Sequence, residues 1–261
     1  LPKNDDASIY ADEGTLLHTA MELYNTVDED ISSMVDRKLT YKDQVLTQEL
    51  ADEKLYPAAA AMSKAVLGSV SKINTHLTYE PFVSLIDDLA GGSIDMFGVS
   101  NDGKTLLVLD YKFGHYRVPA EDNKQLLFYA LCAMVDSSHG LPTDNVEELK
   151  LVIIQPQDGE CTPDVWTVPE TILDTFEDEV YDAIDLSEEN PADGSNAAAG
   201  PACKFCPAEA ICPVKSGAAA RALRITPEQT DQIADALTVA GQLEIGRAGC
   251  RESVTTRAAP R

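Results

Sequence analysis

Apolar positions along the chain follow a helical period at first and a strand-like pattern later. Over residues 11–27 they recur three or four positions apart, which predicts an amphipathic helix that contains His18. A second helix is predicted over about residues 57–74, where Pro57 suits a first turn and a run of alanines follows. Further along, short apolar runs predict strands over residues 75–85, 92–99, 105–112, 149–155 and 164–168, with a helix over residues 119–135.

This order of elements predicts an α/β fold with a mixed central sheet flanked by helices. We assign residues 1–186 to this core and its N-terminal helical part, and residues 187–202 to a linker of Asn, Gly, Pro and Ala. Residues 203–261 are expected to form an appendage with a cysteine cluster, a helix over about residues 226–245 and a tail.

The charge balance is strongly acidic, with 44 Asp and Glu against 20 Lys and Arg and a formal net charge of -24. It argues against a protein that coats nucleic acid through a broad basic face. Residues 174–189 hold many of the acids and are predicted to be a solvated helix face. Because no long apolar run predicts a membrane span and no secretory signal opens the chain, we expect a cytoplasmic protein. The first residue is Leu1, so we expect a fragment or a processed product.

A hairpin brings two carboxylates together in the predicted sheet. Asp102-Gly103 lies between two apolar runs, which is a strong signal for a two-residue turn. With Asn101 paired to Lys104, the register places Asp95 directly opposite Asp110. Like charges so placed repel each other.

Two facing carboxylates in an apolar sheet need a proton or a cation between them. Mg²⁺ or Mn²⁺, which prefer oxygen ligands, would satisfy Asp95 and Asp110. Lys112 lies two positions beyond Asp110 and so projects from the same face. The alternative is that one carboxylate reaches water at a strand end and the pairing is accidental.

These residues resemble the core of the PD-(D/E)XK nucleases. Asp95 followed by Asp110-Tyr111-Lys112 is similar to the family's acidic motif, and the run from Val108 to Gly114 resembles the D-Y-K-x-G motif of RecB-family nucleases. The resemblance implies a restriction-endonuclease-like core for the α/β fold.

Three further features match RecB-like nucleases in the expected order. The run that ends at His18 resembles an N-terminal helical motif with a metal-binding histidine, Glu80 is predicted on the strand before the hairpin, and Gln125 with Tyr129 resembles the Q-x-x-x-Y motif. Each also has an ordinary explanation, since a helical histidine is often a core residue and positions four apart share a helix face. The segment from Asp110 to Tyr129 looks most like phage-encoded RecB-like exonucleases.

The resemblance implies a metal-dependent exonuclease on single-stranded DNA ends, in phage or bacterial recombination. It implies that His18, Asp95, Asp110 and the carbonyl of Tyr111 hold Mg²⁺ or Mn²⁺. Lys112 would orient the attacking water. Glu80 would support the metal's outer shell, while Gln125 and Tyr129 position the strand or the lysine. A recombination or single-strand-binding protein is the expected partner.

Three cysteines cluster as C-x2-C-x5-C at Cys203, Cys206 and Cys212, a pattern typical of metal ligation. The spacing resembles the C-terminal cysteines of iron-sulfur RecB-family nucleases such as AddB and the CRISPR-adaptation exonucleases, which implies a [4Fe-4S] cluster. In that family the fourth ligand precedes the core, but here no cysteine precedes Cys132. The fourth ligand would then lie upstream of Leu1 or be one of the other three cysteines. The alternatives are zinc with a fourth ligand other than cysteine, and no cluster at all, with three reduced thiols.

Two other classes of protein remain possible from the sequence. A catalytically inactive scaffold would keep the nuclease fold without turnover. An acidic DNA mimic would use the net charge itself, although mimicry does not require buried aspartates beside a lysine.

Overall fold

A mixed five-stranded sheet forms the centre of residues 6–180, the larger of the two units into which the chain divides. The computed structural model describes residues 9–68, 77–86, 90–188, 200, 203, 206, 212 and 214. The other unit comprises residues 1–5 and 181–261. The predicted linker and the predicted helix over residues 226–245 lie almost entirely outside the described residues.

Helices occupy most of the first 68 residues, and two more follow strands of the central sheet, one after Thr105–Tyr111 and one after Asp164–Pro169. The predicted first helix is confirmed. The second begins at Tyr56, directly after a short helix and a π-helical turn, and the end predicted for it, residues 69–74, lies outside the described residues. The helices are α1 Ile9–Thr26, α2 Ile31–Asp36, α3 Gln48–Leu50 with the π-helical turn Ala51–Leu55, α4 Tyr56–Gly68, α5 Lys124–Val135 with the 3₁₀ turn Ser137–His139, and α6 Ile172–Glu188.

The strands form one central sheet and two small antiparallel pairs. The strands are β1 Thr40–Tyr41, β2 Gln44–Val45, β3 Leu77–Tyr79, β4 Phe82–Ile86, β5 Ala90–Ser93, β6 Met96–Val99, β7 Thr105–Tyr111, β8 Glu148–Ile154 and β9 Asp164–Pro169. The central sheet has the order β3-β6-β7-β8-β9, while β1 pairs with β2 and β4 with β5. Among the described strands only β7 and β8 run parallel, so the predicted mixed sheet flanked by helices is confirmed.

The strands predicted over residues 75–85 and 92–99 each break in two, at the same level of the sheet. Glu80 has a positive φ of 51°, and Pro81 lacks the N–H that a strand would use. The pairing continues across the break, because the N–H of Glu80 donates to the carbonyl of Asp95 and the N–H of Ile94 to that of Pro81. Glu80 and Asp95 therefore lie at a bend between two sheets, and the prediction of Glu80 on a strand is wrong.

The hairpin between β6 and β7 has the predicted register but a longer turn. Met96 pairs with Leu109 and Val99 with Leu106, as the predicted alignment requires. The turn has four residues rather than two, since the N–H of Ser100 donates to the carbonyl of Thr105. The side-chain oxygen of Ser100 accepts the N–H of residue 104, which would otherwise pair with residue 101. The predicted two-residue turn and the observed four-residue turn give the same strand register, so Asp95 is still next to Asp110.

The two faces of the central sheet bury separate hydrophobic clusters. Alternate residues of β7 such as Leu107 and Leu109 pack with α1, α2 and α4, whereas Leu106 and Val108 pack with α5 and with β4. The runs of buried residues along β6, β7 and β8 are typical of strands covered on both sides.

Two further predictions concern the ends of the core. The helix predicted over residues 119–135 begins later, at Lys124, because Asn123 caps it by accepting the N–H groups of Gln125 and Leu126. The acidic run falls on α6, where Asp178 and Asp182 are exposed, so the prediction of a solvated face is confirmed there. No helix in the part of the chain that the structure describes is long and apolar enough to cross a membrane.

Candidate functional site

Two buried aspartates meet at the end of β7. Asp95 lies at the bend immediately before β6, and Asp110 is the penultimate residue of β7; they are only 8% and 4% exposed. One carboxylate oxygen of Asp95 accepts the backbone N–H of Tyr111. The two aspartates therefore meet at one end of the β6–β7 pair, as the sequence predicted, with Asp110 on the sheet face that packs against α5.

Asp110 is surrounded by one cation and one amide. The Nζ of Lys112 lies 2.7 Å from Oδ2 of Asp110, and Nε2 of Gln125 donates to Oδ1 at 3.2 Å. The ammonium of Lys112 is thus the partner of the buried Oδ2 of Asp110. Burial first, and then the charge of Asp95, raise the pKa of Asp110, although Lys112 works in the opposite direction.

Helix α5 brings Gln125 and Tyr129 to the same carboxylate. The Nζ of Lys112 donates to Oε1 of Gln125 at 2.8 Å, and Nε2 of Gln125 also donates to the Tyr129 hydroxyl at 2.9 Å. The capped start of α5 fixes Gln125 in the first turn, and one turn separates it from Tyr129. Gln125 therefore contacts both Lys112 and Asp110, and Tyr129 joins this network through Gln125.

The sequence did not indicate the part played by Gly92. A Cβ at this position would lie 3.0 Å from the ring of Tyr129, so the missing side chain lets the tyrosine rest on β5. The pair Gly91-Gly92 before the acidic residue was the available signal.

His18 reaches the site from α1, on the other side of the sheet. Its Nδ1 lies 3.3 Å from Oδ1 of Asp95, and its ring meets that of Phe113 edge to face at 5.2 Å. Burial acts to lower the pKa of His18, but the hydrogen bond and charge of Asp95, helped by Asp110, outweigh it, so the pKa is raised. The predicted histidine is thus in contact with the acidic pair.

Tyr111, predicted as a carbonyl ligand, has a fully buried side chain. Its hydroxyl accepts from Nδ2 of Asn25 at 3.3 Å, and its ring stacks on that of Phe113 with centroids 6.1 Å apart. Tyr111 therefore fixes the end of β7 against α1, and its N–H orients the carboxylate of Asp95.

Glu80 lies beside the site rather than within its hydrogen-bonded network. Burial first, and then the negative charges of Asp95 and Glu22, raise the pKa of Glu80 to about 7. Glu22 lies one helical turn beyond His18 on α1 and is an acidic neighbour of Glu80 that belongs to none of the nuclease-like motifs. Three neighbouring carboxylates, Asp95, Glu22 and Asp110, therefore act on Glu80 in the same direction.

Replacing Glu80 by glutamine should stabilise the protein in a pH-dependent way. Because the folded protein binds this proton more tightly than the unfolded chain, stability decreases as pH rises from about 4.5 to about 7. Glu80→Gln should therefore raise the free energy of unfolding at about pH 8 by roughly 1 kcal/mol, after allowance for solvent screening, and have almost no effect at about pH 4.

Urea denaturation of Glu80→Gln at the two pH values measures this difference. The exposed Glu49 in α3 gives a matched control, since Glu49→Gln removes the same charge far from the acidic pair. An equal effect of Glu80→Gln at both pH values would contradict the assignment of a raised pKa.

The site has side chains of the type that bind a divalent cation, but their ligand atoms are not arranged around a common metal position. Among the described residues, no three His, Cys, Asp or Glu side chains are arranged to hold a metal ion. The buried Oδ2 of Asp110 contacts the ammonium of Lys112, and burial together with the negative charge of Asp95 raises the pKa of Asp110. The donor set therefore fits a cation with oxygen ligands, provided that Lys112 turns away from Asp110 and His18 from Asp95.

The cysteine cluster is only partly within the described residues. The N–H of Cys206 donates to the carbonyl of Cys203 at 3.3 Å, which places the two in one turn. Cys132 is buried in α5, where burial raises the pKa of its thiol to about 12, so it is a poor candidate for the fourth thiolate. Cys161 is half-buried against the first hydrophobic cluster, and Cys250 lies outside the described residues.

The fold and the site define a mixed α/β protein with a buried aspartate pair, a lysine, a glutamine and a tyrosine at one end of its central sheet. The chain belongs to the family described as "Protein of unknown function (DUF2800)", which matches residues 2–244.

Comparison with individual proteins adds little to this family assignment. No curated protein matches the chain. Among solved structures, the crystal structure of SSO0001 aligns with 80% of this chain and 97% of its own, at 17% identity and a TM-score of 0.28. A score this low does not establish a shared fold.

Proposed function

We propose that this protein is a divalent-metal-dependent DNA nuclease of the RecB-like PD-(D/E)XK type, acting on single-stranded ends. The observation that supports the proposal most strongly is the contact of Lys112 with both Asp110 and Gln125 beside Asp95. Asp110 is a buried carboxylate whose pKa is raised by burial and by the charge of Asp95, and groups of this kind are concentrated at functional sites.

The reaction would be hydrolysis of a phosphodiester. Oxygen from water forms a bond to phosphorus, the bond from phosphorus to the leaving oxygen breaks, and the water's proton ends on that oxygen. Mg²⁺ or Mn²⁺, when held by His18, Asp95, Asp110 and the carbonyl of Tyr111, would lower the pKa of water and neutralise charge on the phosphate.

The side chains of the site have separate parts in this proposal. Lys112, released from Asp110, would orient the attacking water and offset negative charge as it develops. Gln125 holds the lysine amine at 2.8 Å and so would fix its new position. Glu80 would accept hydrogen bonds from the outer ligands of the metal, and Tyr129 would position the scissile strand.

Incubation of the purified protein with end-labelled single- and double-stranded DNA, with and without Mn²⁺, tests the proposal. We expect Mn²⁺-dependent shortening of the single strand. Lys64→Ala, a change at an exposed lysine of α4, is the control for Lys112→Ala. A wild-type protein that binds DNA but does not cleave it under any of these conditions would favour the inactive scaffold instead.

For the cysteines, we propose a [4Fe-4S] cluster on Cys203, Cys206 and Cys212 with a fourth ligand outside the described residues. Zinc is the alternative metal, because three thiolates and one other ligand also suit it. Quantification of iron, sulfide and zinc in protein purified without oxygen separates the two. A protein that contains none of them in stoichiometric amount would rule out both.

A further inference from the structure

An exposed loop with aromatic and basic side chains follows the strand that contains Asp110. We call residues 113–118 the aromatic loop. Within it, Tyr116 is 78% exposed and the side chain of Arg117 is 81% exposed. Tyr10, which is 68% exposed at the start of α1, contacts His115 edge to face with ring centroids 5.3 Å apart. Three aromatic rings and an arginine thus face water around one short segment.

The backbone of the aromatic loop is held firmly although its side chains are exposed. Gln155, just after β8, donates from Nε2 to the carbonyls of Gly114 and Tyr116 at 2.7 and 2.8 Å. Its Oε1 accepts the N–H of Val118 at 2.9 Å, and Gln157 donates to a third carbonyl of the loop. Because these bonds fix the loop before any ligand arrives, its rings need little ordering on binding.

The aromatic loop is continuous with the candidate site. It begins at Phe113, which contacts His18, and directly follows Lys112. Tyr10 and His18 are eight residues apart on α1, a distance of about 12 Å along the helix axis. This corresponds to roughly three or four stacked nucleotides at about 3.4 Å each. A strand cleaved at the site could therefore reach the rings with its next few bases.

The chemistry of the loop favours unpaired bases over other ligands. Aromatic rings stack on any base, and arginine adds a phosphate contact or stacks on a base itself. Arg117 has one acidic neighbour, Asp164, at 3.7 Å, and remains largely exposed. A chain with a net charge of -24 has few positions where phosphates are attracted, so stacking would have to supply much of the affinity.

We propose that Tyr10, His115 and Tyr116 form a stacking surface for the unpaired bases of a single-stranded nucleic acid, with Arg117 contacting its backbone. The inference takes its class of ligand from the proposed nuclease function. It adds a binding surface outside the residues that would perform the reaction.

Fluorescence anisotropy with the full chain in EDTA measures binding without cleavage. Two labelled probes of equal length are compared, oligo(dT) and an abasic strand with the same backbone. Tyr116→Ala should weaken binding of oligo(dT) by roughly five-fold or more, the size expected for one stacked base, and leave binding of the abasic strand unchanged. Tyr10→Ala should act in the same direction. Tyr181→Ala, at an exposed tyrosine of α6, is the matched control.

The outcomes separate this inference from the proposed function. If the wild-type protein cleaves DNA but Tyr116→Ala and Tyr10→Ala bind oligo(dT) normally, the stacking surface is wrong and the nuclease stands. Equal losses on both probes would also overturn stacking, since the abasic strand has no bases. A wild-type protein that neither binds oligo(dT) nor cleaves DNA overturns both proposals.

Discussion

Changing Asp110 to asparagine is expected to lower Mn²⁺-dependent DNA cleavage by at least about 100-fold, while raising the free energy of unfolding at about pH 8 by about 1 kcal/mol. Under the proposed function the activity would fall because a neutral amide is a weaker metal ligand than a carboxylate and forms no ion pair with Lys112. The stability rises because burial and the charge of Asp95 disfavour the ionised form of Asp110 in the folded protein.

The pH dependence of this stability gain follows from the sign of the shift. The pKa of Asp110 is raised on folding, so its ionised form costs stability at high pH, and the cost disappears as the folded protein takes up the proton. The benefit of Asp110→Asn should therefore be largest above the folded pKa and absent at about pH 3. Asp144→Asn, at an exposed turn, controls for the loss of one negative charge.

Lys112→Ala should cause a similar loss of activity with the opposite effect on stability. Removing the ammonium takes away the cation that lies against Asp110 and leaves its buried carboxylate beside that of Asp95, which should cost about 1–3 kcal/mol. Initial rates on labelled DNA measure the activity of Asp110→Asn and Lys112→Ala, and urea denaturation measures the free energy of unfolding of each. Full activity in Asp110→Asn would contradict its role in the reaction, and its unfolding at lower urea would contradict the raised pKa.

The hairpin shows how much of the site the sequence determines. Asp102-Gly103 and the apolar runs on each side fixed the register of β6 and β7, even though the turn has four residues. Side chains of a strand alternate between the two faces of the sheet, so the buried positions determine which residues pair. A longer turn with the same pairing therefore leaves Asp95 opposite Asp110. Gln125 and Tyr129 could be placed on one helix face for a similar local reason.

The parts that were not predicted depend on contacts between distant segments. The sequence does indicate the break at Glu80, because Pro81 has no N–H to donate to a neighbouring strand. The matching bend at Asp95 follows only from the pairing of the two segments. The contact of Gly92 with Tyr129 joins residues that are far apart in sequence. His18 could be related to Asp95 only through family resemblance, since periodicity places it on a helix without indicating which strand it meets.

The two faces of the sheet also explain why several distant segments converge on the site. Asp110 lies on the face covered by α5, whereas Tyr111, the next residue, lies on the face covered by α1. The end of β7 is thus the place where residues from both helices can approach one strand. A site at this position can combine His18 from one side with Gln125 from the other without a break in either hydrophobic cluster.

Titration with Mn²⁺ by calorimetry should separate the metal ligands from the lysine. Asp95→Asn and Asp110→Asn are expected to weaken Mn²⁺ binding by at least about 10-fold, because each removes a charged oxygen ligand. His18→Ala should have an effect of similar size. Asp144→Asn again serves as the control, and unchanged affinity in all three variants would mean that the aspartate pair is not the metal site.

Lys112→Ala is expected to bind Mn²⁺ more tightly than the wild type, by roughly 3- to 10-fold, although we expect it to lose DNA cleavage. The lysine amine lies 2.7 Å from the buried oxygen of Asp110, so it competes for the oxygen that the metal would use. Removing a positive charge from this position lowers the electrostatic cost of a divalent cation nearby. If Lys112→Ala instead lost Mn²⁺ binding, the lysine would be needed to hold the site together, and its proposed role in orienting water would have to be abandoned.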